Sequence, residues 1–139
     1  MKTKLDLVIV DDSPLWCNIA MRMANDHQEL SQPISFTNPA IALEHIKLFG
    51  TDLVITDIEM PILSGIQLIS ELKSSAMLVA SSTIHDFSQK ANNLGCLGFL
   101  PKPYTVEMFE KIIQIALMEK HLLSNFHDSI RNNGNFLCA

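Results

Sequence analysis

The chain has 139 residues, 47% of them hydrophobic and 18% charged, the composition of one globular domain with its own core rather than of a disordered segment. Ten basic residues against fifteen acidic ones leave a net charge of −5 without a Lys/Arg cluster, which argues against a direct nucleic-acid partner. No apolar run reaches membrane-spanning length, the N-terminus shows no signal-peptide pattern, and Cys17, Cys96 and Cys138 are too widely spaced for a disulfide framework or a zinc site, so buried free thiols in a reducing cytoplasm are expected.

Apolar runs alternate with amphipathic stretches along the chain. Leu5–Val10 reads as a strand, and Ser13-Pro14 then supplies an N-cap and a first-turn proline for a helix to about Asn25. Pro33–Phe36 is a short strand, and Asn38-Pro39 repeats the cap-plus-proline signal before a helix that ends ahead of Gly50. Leu53–Thr56 is the third strand, followed after Ser64-Gly65 by a helix through Lys73. Met77–Ala80 is the fourth strand, with a polar helix from about Ile84 to Asn93. Leu97–Leu100 is the fifth, and a long helix runs from Thr105 to about Leu123. This alternation predicts an α/β fold, a doubly wound five-stranded parallel sheet with helices on both faces. Residues 124–139, polar and Asn-rich, are expected to be a short tail, mobile or folded back on the last helix.

The chemistry concentrates at strand ends. Asp11 and Asp12 follow the first apolar run and Asp57 follows the third, which places them at the carboxyl edge of the sheet, where open α/β sheets bind ligands. Carboxylates converging there repel one another unless a cation joins them, and an all-oxygen set open to water favours Mg²⁺. Asp12 or Ser13 alone could simply cap the following helix. That explanation does not extend to Asp57, which precedes Met60-Pro61 rather than a helix start. Ser81-Ser82-Thr83 ends the fourth strand and Pro101-Lys102-Pro103 ends the fifth, adding a hydroxyl and a cation to the same edge.

With Val10-Asp11-Asp12-Ser13-Pro14, Asp57-Ile58-Glu59-Met60-Pro61, Ser64-Gly65, Ser81, Gly98-Phe99-Leu100 and Lys102-Pro103 in view, residues 5–123 resemble the receiver domain of two-component response regulators. The resemblance implies a flavodoxin-like (βα)5 fold over residues 1–123. It implies that Asp57 accepts a phosphoryl group from a sensor histidine kinase or histidine phosphotransfer protein. Asp12, Asp57 and the backbone carbonyl of Glu59 would ligate Mg²⁺, with Asp11 acting through metal-bound water. Lys102 would pair with Asp57 and then with a phosphoryl oxygen. A Ser81 hydroxyl would bond another, Phe99 would change rotamer on activation, and the Lys102-Pro103 peptide would be cis. The chain would be a cytoplasmic switch, acting through a downstream protein target rather than as a turnover enzyme.

Three consecutive hydroxyl residues depart from the usual pattern. Ser81 is preferred because Met77–Ala80 fills the strand, and Ser82 stays open. Two rival functions are an Mg²⁺-dependent phosphohydrolase of the haloacid-dehalogenase kind, disfavoured because Asp-Asp stands where that class has Asp-x-Asp, and a degenerate receiver that only binds. Trp16 is expected at the rim of the acidic mouth, as packing or as a donor contact. The five histidines form no metal-binding pair, and His85 reads as a solvated helix start. The last helix carries more apolar residues than one packing face requires, which suggests a homodimer through the helix 4–strand 5–helix 5 face.

Overall fold

The structure, a computed structural model, describes residues 4–137. Its elements alternate without exception: β1 (Leu7–Val10), α1 (Pro14–Asn25), β2 (Ile34–Phe36), α2 (Pro39–Phe49), β3 (Leu53–Asp57), α3 (Gly65–Leu72), β4 (Met77–Ser82), α4 (Phe87–Asn93), β5 (Gly98–Pro101) and α5 (Val106–Leu137). The strands form one parallel sheet in the order β2-β1-β3-β4-β5. The chain steps from β1 outward to β2 and then crosses back to β3, so the topological switch point lies between β1 and β3, where the crevice of a doubly wound sheet opens.

Two apolar layers result from strand alternation. Leu7, Ile9, Leu53, Ile55, Val79 and Leu100 face one side with Ala20 and Ala24 of α1 and Phe109, Ile113 and Ala116 of α5. Val8, Val10, Val54, Leu78 and Ala80 face the other, against α2, α3 and α4 through Ala42, Ile46, Leu68, Ile69, Leu72 and Ala91. Burial on both faces explains why the strands read as unbroken apolar runs.

Helix starts follow their caps. The Ser13 Oγ accepts from Trp16 N–H with Pro14 in the first turn, Asn38 Oδ1 accepts from Ala40 and Ile41, and Ser64 with Gln67 forms a reciprocal capping box. α4 starts three residues later than its sequence suggests. Ser82 Oγ accepts from Ile84 N–H at 2.9 Å, and that turn occupies the chain before Phe87.

α5 differs more. Periodicity ends this helix at Leu123, where its apolar positions thin, whereas the structure carries it on to Leu137. No proline interrupts the segment, and Ser, Asn and His each cost only tenths of a kcal/mol relative to Ala, so weak propensity does not stop it. Residues 124–137 are therefore helix. Cys17 is buried and Cys96 half-buried, both free; Cys138 lies outside the described residues.

Gly65 opens α3 against the back of the site. A Cβ there would meet the Asp57 carbonyl oxygen and lie 2.7 Å from Ile58 Cα, both backbone atoms that cannot swing away. The close approach is fixed by Gly65 N–H donating to Ile58 O at 2.8 Å. Gly65→Ala is expected to destabilise the chain by about 1–3 kcal/mol, as overpacking does, seen as a lower urea midpoint at unchanged slope.

Candidate functional site

Register brings the polar residues into one row. Val10 pairs with Thr56, which sets Asp11 beside Asp57; Asp57 pairs with Ser81, and Ser81 with Leu100. Alternation points Asp11, Asp57 and Ser81 toward the α1/α5 side of the sheet edge, the side of Ile9, Ile55 and Val79. One carboxylate oxygen from each of Asp11, Asp12 and Asp57 falls within a cluster 4.8 Å across, with Asp11 buried, Asp12 exposed and Asp57 at the margin of burial.

Lys102 closes the cluster. Its side chain is only 5% exposed, and its Nζ lies 2.6 Å from Asp11 Oδ2 and 3.3 Å from Asp57 Oδ1. The peptide to Pro103 is cis. Asp11 Oδ1 accepts from Ser13 N–H at 2.9 Å, so both oxygens of this buried acid are satisfied. Asp57 Oδ1 accepts from Ile58 N–H at 3.0 Å as well as facing Lys102. Among the described residues, Oδ2 of Asp57 accepts no hydrogen bond and remains open.

Three carboxylates against one ammonium leave a formal excess of two negative charges. Burial, and after it the neighbouring Asp11 charge, pushes the Asp57 carboxyl up to about 6, with Lys102 opposing. A raised acid beside two others, all oxygen donors and one of them facing water, fits a hard divalent cation such as Mg²⁺ better than a thiolate- or imidazole-seeking metal.

The remaining predicted residues stand around this centre. Ser81 is buried and its hydroxyl donates to Leu100 O at 2.8 Å. The Ser82 hydroxyl is taken by the turn to Ile84. The register thus sets Ser81, not Ser82, beside Asp57. Glu59 is exposed in the loop after β3, and among the described residues no backbone N–H donates to its carbonyl. Phe99 projects to the other face, half-buried against the α3/α4 layer, and does not join the carboxylates. His85 is not simply a solvated helix start: it precedes α4, and its Nε2 lies 3.5 Å from Lys102 O.

Two features were not legible beforehand. The Trp16 ring stands over the Lys102 ammonium, 5.2 Å from Nζ to centroid, and the buried Tyr104 ring packs on Trp16 at 5.3 Å. Its position just after Lys102-Pro103 is the one signal that could have drawn attention to Tyr104. Exposed aliphatic residues also follow the strand ends that bear the site: Ile62 and Ile84 in loops, Leu15 and Val106 in the first turns of α1 and α5. Ile62 has φ +73°, a left-handed conformation that a β-branched residue adopts only at a cost.

Comparison with known proteins gives a consistent result. The model of the response regulator receiver domain matches residues 7–114. A protein of Arabidopsis thaliana named as two-component response regulator ARR21 is 34% identical over 125 residues, 84% of this chain and 20% of that protein. A protein-glutamate methylesterase/protein-glutamine glutaminase of Clostridium acetobutylicum is 25% identical, over 95% of this chain and 39% of its own length. The chain thus spans well under half of either curated relative. Among solved structures, the response regulatory domain of mrkE from Klebsiella pneumoniae superposes with TM-score 0.76 at 19% identity, covering 83% of this chain and 97% of that one. The receiver domain of Ssk1 in complex with the phosphotransfer protein Ypd1, from Saccharomyces cerevisiae, matches with TM-score 0.69 at 22% identity, over 81% and 88%.

The raised Asp57 carboxyl has a measurable consequence. Its folded value of about 6 stands above the ordinary 3.8, so the folded chain holds a proton that the unfolded chain has lost. Stability therefore falls as pH rises from about 4 to about 6, and the full penalty persists above that. Without divalent cations, Asp57→Asn is expected to be more stable than wild type by about 1–3 kcal/mol at pH 7.5. The gain should vanish near pH 4. Paired thermal melts across that range measure it.

Proposed function

The chain belongs to the response regulator receiver domain family, and we propose that its Asp57 accepts a phosphoryl group from the phosphohistidine of a sensor histidine kinase or histidine phosphotransfer protein. The observation that carries this reading is the open Oδ2 of Asp57 beside a buried ammonium shared with Asp11. In the transfer, Oδ2 attacks phosphorus as the phosphorus–nitrogen bond to the imidazole breaks, and the bonding pair leaves with the donor nitrogen. A carboxylate needs no general base for this, so the task of the site is charge and alignment.

Asp11, Asp12, Asp57 and the Glu59 carbonyl would hold Mg²⁺, with Asp11 placed to act through a water of the ion. When bound, the cation neutralises the charge gathering on the phosphoryl oxygens. Lys102 passes from the Asp57 carboxylate to a phosphoryl oxygen. The Ser81 hydroxyl then exchanges its bond to Leu100 O for another phosphoryl oxygen, drawing the β4–α4 turn toward Asp57. Phe99, half-buried on the α4 side of the neighbouring strand, is placed to change rotamer as that turn moves. The modified chain signals by this change to a protein target. A fold neighbour seated on a phosphotransfer protein, and the exposed aliphatic residues after the strand ends, support a protein donor. The complete set of acids, lysine and hydroxyl argues against a degenerate binding module, and membership in the receiver family replaces the phosphohydrolase reading. Among the described residues, no helix is long and apolar enough to cross a membrane.

A homodimer is the second element of the reading. Glu110 and Gln114 of α5 bond to His27 and Glu29 beside α1. Ile112, on another side of α5, meets Gly98 of β5. Ile115, Met118, Leu122, Phe126 and Ile130, all exposed, follow at spacings of three and four on the β5-facing side. That stripe continues the α4–β5–α5 face into the extended helix. An exposed apolar stripe of this length is a surface that a second copy of the chain along it would bury.

Two outcomes are expected. Acetyl phosphate with Mg²⁺ should add one phosphoryl group by intact mass to wild type and none to Asp57→Ala, while Lys102→Ala should still bind Mg²⁺ yet show no switch in Trp16 fluorescence. Equal labelling of Asp57→Ala would refute the acceptor role. Sedimentation should show a dimer that Leu122→Glu/Phe126→Glu disperses; a wild-type monomer with and without beryllofluoride would remove the dimer.

A further inference from the structure

We propose that Trp16 is a positioning residue for Lys102, its indole face holding the ammonium between Asp11 and Asp57 with one N–H free for the incoming phosphoryl oxygen. The inference rests on the acceptor role of Asp57 and deepens it.

The argument begins with the hydrogen-bonding capacity of lysine. An ammonium has three donors. One donates to Asp11 Oδ2 at 2.6 Å, and a second faces the ion-paired Asp57 Oδ1 at 3.3 Å. A buried ammonium would ordinarily fill its third position with a carbonyl or hydroxyl, because burial without partners is costly. Here an aromatic face stands 5.2 Å from Nζ instead. A ring attracts the cation through its quadrupole without accepting a directed hydrogen bond. The charge is stabilised while its last donor stays uncommitted, as a group awaiting a new oxygen requires.

The ring is itself held. Pro14 and the Ser13 cap fix the first turn of α1, with Trp16 N–H donating to Ser13 Oγ at 3.4 Å. Tyr104, buried and two residues after Lys102, packs its ring against the indole at 5.3 Å and 40°. Trp16 is thus braced by α1 and by the loop before α5, while the Lys102 backbone N–H donates to Ser82 O at 2.8 Å.

The test is a double-substitution cycle on the full chain, with thermal melts of each variant. The initial rate of Asp57 labelling by acetyl phosphate and Mg²⁺ is compared for wild type, Trp16→Phe and Trp16→Leu, each with Lys102 and with Lys102→Met. Trp16→Leu is expected to slow labelling roughly five- to tenfold, the scale of one buried cation–π contact. Trp16→Phe should stay near wild type, and neither change should matter once Lys102 is Met. A second reading needs neither metal nor phosphoryl group: the Lys102 ε-methylene protons should be shifted upfield by the ring in wild type, partly in Trp16→Phe, and not in Trp16→Leu. Wild-type labelling by a folded Trp16→Leu, or an equal loss in the Lys102→Met background, overturns the proposal. A wild-type chain that takes no phosphoryl group refutes the acceptor role of Asp57 instead. The ring-current arm then decides the Trp16–Lys102 contact, and an unshifted Lys102 overturns the positioning role.

Discussion

The buried ammonium of Lys102 is the constraint around which the edge of the sheet is arranged. A lysine 6% exposed is tolerated only where opposite charge meets it, and Asp11 and Asp57 do so from two different strands. Holding them there requires β1 and β3 to be neighbours at the switch point and β5 to end at the right height. The parallel register supplies both. The same requirement reaches into α3, where Gly65 comes close enough to fix the Asp57 backbone from behind.

Electrostatic tension then sets what the site can do. Burial first, and then the acids that Lys102 alone cannot balance, raise the Asp57 carboxyl toward neutrality. A divalent cation relieves the tension, and so does a proton. A cation bound there would therefore add to the stability of the fold. That linkage is why the acid with the open oxygen is also the one whose ionisation is costly to the fold.

Much of this was legible in the sequence because parallel strands buried on both faces leave unbroken apolar runs, and the polar residue after each run marks the functional edge. Asp11, Asp57 and Lys102 were found in that way, and proline-marked helix starts at Pro14 and Pro39 fell where their caps predicted. What stayed hidden depends on direction rather than spacing. Nothing in the order of residues shows that the Trp16 ring turns over Lys102, or that Tyr104 packs behind it. That Ser81 rather than Ser82 pairs with Asp57 emerges only from the register of β3 and β4, with Ser82 engaged by the following turn. The length of α5 was missed for a different reason: between Leu123 and Asn135 its apolar residues thin to Phe126 and Ile130, too sparse to read as a continuing face, while no proline stops the helix.

That length gives the molecule a lever. At 1.5 Å per residue, the 32 residues of α5 extend about 48 Å, and its last fourteen account for roughly 21 Å. A tilt of about 10° in that overhanging part would sweep the tip through roughly 3–4 Å. Because the helix starts four residues after Lys102 and packs Phe109 and Ile113 into the core, the carboxylate edge and the far tip are joined by one continuous helix, along which a small displacement at its base would be enlarged at its end.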